Sequence, residues 1–225
     1  MDDKVGSGPV GLRSASSQEP RASLSAQPNS GEQLRCMLSG KSADIQAVLL
    51  RAGMTAASAM PTARLVFRSE VRTICEGNAC GSYNSCWACP PAVGTLEECR
   101  DRCLAFDTIQ VFSRVYPLED SFDFAGMQEA MADFKNRTIE AVPDLRALAG
   151  SCLVLDNEGC GICAQCTWPD APCRFPDKCL HSIEGYGFTV SELAEEVGIP
   201  YNNGPCTVTF FGAVLYDDSG SSQIV

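Results

Sequence analysis

Residues 75–91 read CEGNACGSYNSCWACPP, with Cys75, Cys80, Cys86 and Cys89 spaced by Gly, Asn and Ser and closed by Pro90–Pro91. The run has too few apolar residues to bury a face, and neither a helical nor a strand period fits it. A loop that directs its thiols at a metal or a metal–sulfur cluster accounts for such a composition. A second dense run, residues 160–179, reads CGICAQCTWPDAPCRFPDKC.

Clustered cysteines can also form disulfide scaffolds, and the chain has 14 cysteines in 225 residues. Disulfide frameworks serve small secreted domains that lack a sufficient core. Here 45% of the residues are hydrophobic, enough to bury a core without staples. The opening MDDKVGSGPVGLRSASSQEP has no apolar stretch of the signal-peptide kind. No run of about 18 apolar residues offers a membrane span. The expected location is cytoplasmic, a reducing compartment where clustered Cys points to metal or redox chemistry. A net charge of −11 argues against nucleic acid, whose binders carry basic patches.

Residues 1–33, rich in Ser, Gly, Gln and Pro, read as a disordered tail. A single metal-binding domain is expected over 34–225. Ser42 is placed to cap a helix over 43–52 with Ile45, Val48 and Leu49 on its apolar face. Residues 64–67, RLVF, suit a strand leading to Cys75. Thr95 and Glu98 form a capping box for a helix to about 105. On that helix Cys99 and Cys103 share a face and read as buried apolar thiols. Residues 108–113 suit a strand. A long helix is expected over 124–142, with Met127, Met131, Phe134 and Thr138 on one face and Pro143 ending it. Residues 151–155 form the next strand, with Cys152 in a packing role. Thr189 and Glu192 suggest another capping box and a helix to Val197. Residues 206–215 make a β-branched and aromatic terminal strand.

This alternation predicts an α/β fold: a small, partly parallel or mixed sheet with flanking helices and two Cys-rich loops. Both loops are expected to follow strands, where open α/β sheets place their sites.

In the second run Cys160, Cys163 and Cys166 are spaced C-x2-C-x2-C, and Cys173 follows after six residues. Such a triple suits a 4Fe–4S cube, in which each thiolate takes a different iron. Bacterial ferredoxins place the fourth Cys after three residues and follow it with Pro, so the match is partial. Zinc is the rival, although structural zinc usually uses CxxC pairs far apart in sequence. Thiolates alone do not discriminate the two metals. In the first run, Cys89–Pro90 is similar to the closing step of the ferredoxin motif. A cross-over is therefore conceivable, with Cys89 serving the second run and Cys173 the first. A zinc ribbon from Cys86, Cys89, Cys160 and Cys163 is a further alternative, but it leaves Cys75, Cys80, Cys166 and Cys173 unexplained. His181 reads as a loop histidine, and Cys179 as a spare ligand or a neighbour of the ligands. Trp87, Tyr83 and Trp168 sit beside candidate ligands, where they could shield a cluster or simply pack.

Together these motifs resemble domain-of-unknown-function family 2284, known as predicted metal-binding proteins. The resemblance rests on Cys75, Cys80, Tyr83, Trp87 and Cys89–Pro90–Pro91. It continues through Gly159–Cys160, Cys163, Cys166, Cys173–Arg174–Pro176, Ser182–Glu184–Gly187 and the apolar strand over 207–215. It covers about residues 63–217. Two departures are Cys86, which is not part of the family pattern, and the wider spacing from Cys75 to Cys80. The resemblance implies metal binding. If Cys86 is extra, it implies a first site of three ligands, Cys75, Cys80 and Cys89, with one iron of a cube open to a substrate.

The expected function is a cytoplasmic iron–sulfur protein with one or two 4Fe–4S clusters in electron transfer or a redox accessory role. Eight thiolates around two cubes of core charge about +2 would bring the protein to about −15. A redox partner with a basic docking face is then expected. One alternative is an enzyme or accessory factor with an open cluster iron, in sulfur, corrinoid or one-carbon metabolism. Another is a zinc-stabilised interaction module.

Overall fold

The computed structural model describes residues 40–218. The tail expected over 1–33 lies outside the described residues. Within them, helix α1 (Gly40–Arg51) leads to strand β1 (Ala56–Pro61), a 3-10 turn (Thr62–Arg64) and helix α2 (Ser69–Glu76). The first cysteine loop follows, then helix α3 (Leu96–Leu104), strand β2 (Thr108–Pro117) and the long helix α4 (Phe124–Ala149). Strand β3 (Cys152–Asp156) delivers the chain to the second loop. Strand β4 (His181–Ser182), a 3-10 turn (Glu184–Tyr186), helix α5 (Val190–Glu196) and strand β5 (Thr207–Tyr216) complete the fold.

The five strands form one mixed sheet in the order β1-β2-β5-β3-β4. Only β3 and β4 pair in parallel, with Leu155 opposite His181 and Asp156 opposite Ser182. The other pairs are antiparallel. Both faces of the sheet are covered, so its central strands are nearly continuous apolar runs. On one face Ile109, Val111, Ala213 and Leu215 pack with Tyr186, Leu193 and the fully buried Cys99 and Cys103. On the other, Phe112, Val214 and Tyr216 pack against α1 and α4 through Ile45, Leu49 and Phe134. Gly212 lies opposite Phe112 in the ladder. A Cβ there would stand 2.5 Å from Phe112 Cζ, so the glycine makes room for the ring.

Several expected elements differ. The strand foreseen at 64–67 is displaced to Ala56–Pro61, while Val66 is half exposed. The small residues of AASAMP carry little strand propensity, but pairing with β2 and burial of Ala57 and Met60 decide the matter. Ser42 lies inside α1, where its buried hydroxyl shares a 2.7 Å hydrogen bond with Tyr216. Helix α4 runs through Pro143 to Ala149, because Ala141, Val142 and Leu145 remain buried against the sheet. Thr95 and Glu98 form the foreseen capping box. Thr189 makes no such bond, and Glu192 pairs with Arg68 instead, at 3.1 Å. No helix of the described residues is long and apolar enough to cross a membrane.

Candidate functional site

The first cysteine loop emerges from a helix, not from a strand. Cys75 occupies the last turn of α2. Arg72, one turn earlier, donates to the carbonyls of Gly185 (2.7 Å) and Gly94 (2.8 Å) and so ties α2 to two neighbouring segments. Asn78 and Asn84 take left-handed backbone conformations that Asn tolerates. Asn78 Oδ1 accepts the N–H of Tyr83, and the Asn84 N–H donates to the carbonyl of Pro90. The Ser182 N–H donates to the carbonyl of Ala88 at 2.8 Å, so the loop's end lies along β4.

The second loop leaves the end of β3, as foreseen. It meets the first at close quarters. A Cβ on Gly159 would come within 2.6 Å of Ser82 Oγ and 3.4 Å of Cys86 Sγ. Two tryptophans lace the loops reciprocally. Trp87 Nε1 of the first loop donates to the Ala171 carbonyl (3.2 Å), and Trp168 Nε1 of the second donates to Asn84 Oδ1 (2.9 Å).

The eight candidate cysteines divide into two settings and one exception. Cys160, Cys163, Cys166 and Cys173 line one hollow, together with Cys179 and under Trp87. Cys75, Cys80 and Cys89 line a separate cleft of about 430 Å³. Cys86 lines neither. It is buried in one cluster with Ala88 and Cys89, against which Cys160, Cys166 and Cys179 of the second loop pack. Cys173 keeps to its own run, as does Cys89, which also packs toward the second loop.

All cysteines of the described residues are free thiols. Several stand in hydrogen-bonded pairs, Cys86 with Cys89 and Cys160 with Cys179. The Cys89 thiol and the backbone N–H groups of Cys160, Ala88 and Cys89 push Cys86 down. The Cys179 thiol and the N–H of Ile162 do the same for Cys160. The donors of these pairs, Cys89 and Cys179, are pushed up, first by the same bond and then by burial. Each pair thus gives up one proton readily and holds the second, which a metal must displace. Among the described residues no three His, Cys, Asp or Glu side chains stand ready around a single ion. Burial, followed by the Glu184 carboxylate, pushes the Cys75 thiol up.

This chain belongs to a known family. The model of the family described as predicted metal-binding protein (DUF2284) matches residues 58–216. No curated protein and no solved structure matches the chain. The family's metal-binding character agrees with an all-sulfur donor set, which suits zinc or iron–sulfur clusters.

Within this DUF2284 chain, the Ser182–Glu184–Gly187 motif acquires a place. Ser182 and Glu184 line the cleft beside Cys75, Cys80 and Cys89. The Gly187 carbonyl accepts the N–H of Arg68 at the start of α2. His181 lies in β4 and shares a 2.9 Å hydrogen bond with the Tyr186 hydroxyl. Burial holds the imidazole down to about 4, and Arg102 adds to the effect. Cys99 and Cys103 are wholly buried, and burial pushes Cys103 up to about 12. Arg72 and Cys179 carry more of the site than their sequence context suggests. Arg72 belongs to no motif, while Cys179, the last residue of the dense run, reads from sequence as a spare ligand or a neighbour of the ligands.

Proposed function

We propose that this protein is an iron–sulfur redox protein with two 4Fe–4S clusters in unlike settings. Cys160, Cys163, Cys166 and Cys173 hold one of them. Cys75, Cys80 and Cys89 would hold the other, leaving one iron without a cysteine ligand. The observation that carries this reading is the division of the thiols. Three open on a cleft of small-molecule size, four share a separate hollow, and Cys86 lies buried between the loops. When bound, such clusters take up and release single electrons, and an iron without a cysteine can accept a small molecule.

The chain's own residues supply what a cluster needs. The dense C-x2-C-x2-C run presents thiols to different irons. Trp87 lines the second hollow and limits water there, which tunes a potential. Cys86 packs the two loops together and donates weakly to the Ser82 carbonyl at 3.9 Å. Bound clusters add negative charge to a chain already at −11. The redox partner therefore docks through a basic face, in an association that salt weakens. The reducing cytoplasm is the compartment that suits so many free thiols.

Serine variants test the division. Cys86→Ser retains the full iron and sulfide content and an unchanged electron paramagnetic resonance spectrum of the reduced protein. Cys89→Ser loses about four irons. Loss of a cluster from Cys86→Ser, with Cys89→Ser intact, overturns the assignment.

A further inference from the structure

The cleft beside Cys75, Cys80 and Cys89 has about 430 Å³ of free volume. That lies within the range of small-molecule sites, which are largely apolar with a few convergent polar groups. Its walls fit that description. Val71, Ile74, Phe188 and Val190 supply apolar surface, and Tyr83 and Tyr201 supply aromatic rings. Ile74 is 72% exposed and Tyr201 55%, which places apolar side chains at the rim.

The charged groups are of one sign. Glu158 and Glu184 line the cleft, and no Lys, Arg or His of the described residues does so. Arg72 lies on α2 close to Cys75, but its guanidinium is engaged by the carbonyls of Gly94 and Gly185. An anion entering the cleft would meet two carboxylates without a compensating cation, and the negative charge of the cysteine sulfurs as well once a cluster is bound. A cation would be favoured by the same groups, in partial shelter from water, and by the faces of the two tyrosines.

We propose that this cleft binds a small organic cation: a mostly apolar molecule bearing one protonated or quaternary nitrogen. Its apolar part rests on Val71, Phe188 and Val190, and its nitrogen faces Glu184. The inference rests on the two-cluster reading only for the charge at the cysteine end of the cleft. The volume, the apolar walls and the two carboxylates stand without it.

The test uses the full chain, purified without oxygen, with iron, sulfide and zinc counted on the same sample. Three probes that share a phenyl ring are titrated by calorimetry: phenethylammonium, 2-phenylethanol and 3-phenylpropanoate. Phenethylammonium binds about tenfold or more tightly than the alcohol, and the carboxylate binds weakest. Glu184→Gln removes most of the preference for the ammonium and leaves the alcohol's affinity unchanged. Ser191 lines the cleft and is exposed, so Ser191→Trp obstructs it without disturbing the core and abolishes binding of all three probes. Equal affinity for the three probes, or ammonium binding that survives Ser191→Trp, overturns the proposal. A sample with both clusters that shows no preference for the ammonium sinks this inference and leaves the two-cluster reading standing. A zinc-loaded sample that still prefers the ammonium sinks the two-cluster reading and supports this one.

Discussion

Trp87 and Trp168 meet edge to face, with ring centroids 4.7 Å apart and planes at 82°. One ring belongs to each cysteine loop, and each indole N–H bonds to the opposite loop. The two loops are therefore one structural unit, although about seventy residues of sheet and helix separate them in sequence. An edge-to-face pair contributes about 0.5–1.5 kcal/mol beyond its burial, and a hydrogen bond about 1 kcal/mol. Trp168→Leu removes both, at a cost of about 2 kcal/mol in denaturant unfolding. It also speeds release of metal to a chelator. Asn84→Gly removes the hydrogen bond while keeping the left-handed backbone conformation, and shows about half that loss.

Arg72 positions Cys75 through the two backbone carbonyls that its guanidinium bridges, at 2.7 and 2.8 Å. A lysine ammonium at this place is a point charge and does not span both. Arg72→Lys leaves one carbonyl without its donor and costs about 2 kcal/mol. Thiol-labelling kinetics on the metal-free protein check the local effect. Cys75 reacts faster in the variant, whereas Cys163 on the other loop is unchanged.

Lys135 and Asp156 form a buried pair at the root of the second loop. Nζ lies 3.4 Å from Oδ2 and donates to the Asn157 carbonyl at 2.8 Å. The Asp156 side chain is 0% exposed. Burial pushes its carboxyl up in spite of Lys135, so desolvation outweighs the attraction. Lys135→Met strands the carboxylate and costs about 3–5 kcal/mol at neutral pH. A carboxyl whose folded pKa is raised contributes stability below its unfolded pKa and loses it as pH rises through the folded value. The deficit of Lys135→Met relative to the parent therefore shrinks as the pH is lowered. Denaturant midpoints across a pH series check this, and adding Asp156→Leu restores most of the loss at neutral pH.

Pro143 sits on the exposed side of α4 and withholds a backbone donor from the helix interior. Pro143→Ala restores the bond to the preceding turn. The unfolded chain gains freedom, which offsets part of the benefit. The net expectation is a rise of about 1–2 kcal/mol in unfolding free energy.

The same proline shows where the sequence misleads. Local rules end the helix at Pro143, but Val142 and Leu145 continue the buried stripe, and tertiary packing decides. β1 was hidden for a related reason. AASAMP has no strand signature of its own and becomes a strand by pairing with β2. The motifs that carry local geometry were legible: the Thr95–Glu98 box, the apolar strands and the two dense cysteine runs. The family resemblance sets Cys86 apart from Cys75, Cys80 and Cys89, but its burial against the second loop, hydrogen-bonded to Cys89, was not legible, because it depends on where that loop packs. Gly159 allows that approach; the Gly159–Cys160 motif marks the residue in the sequence but not the loop that it meets. The cleft's acidic wall was likewise hidden, since Glu158 and Glu184 come together from two different loops.

The central claim is that these thiols hold two iron–sulfur clusters. Iron, acid-labile sulfide and zinc per chain, measured on protein purified without oxygen, test it most directly. The account predicts about eight irons and eight sulfides with a brown chromophore that bleaches on reduction. A colourless protein with stoichiometric zinc and no sulfide would contradict it.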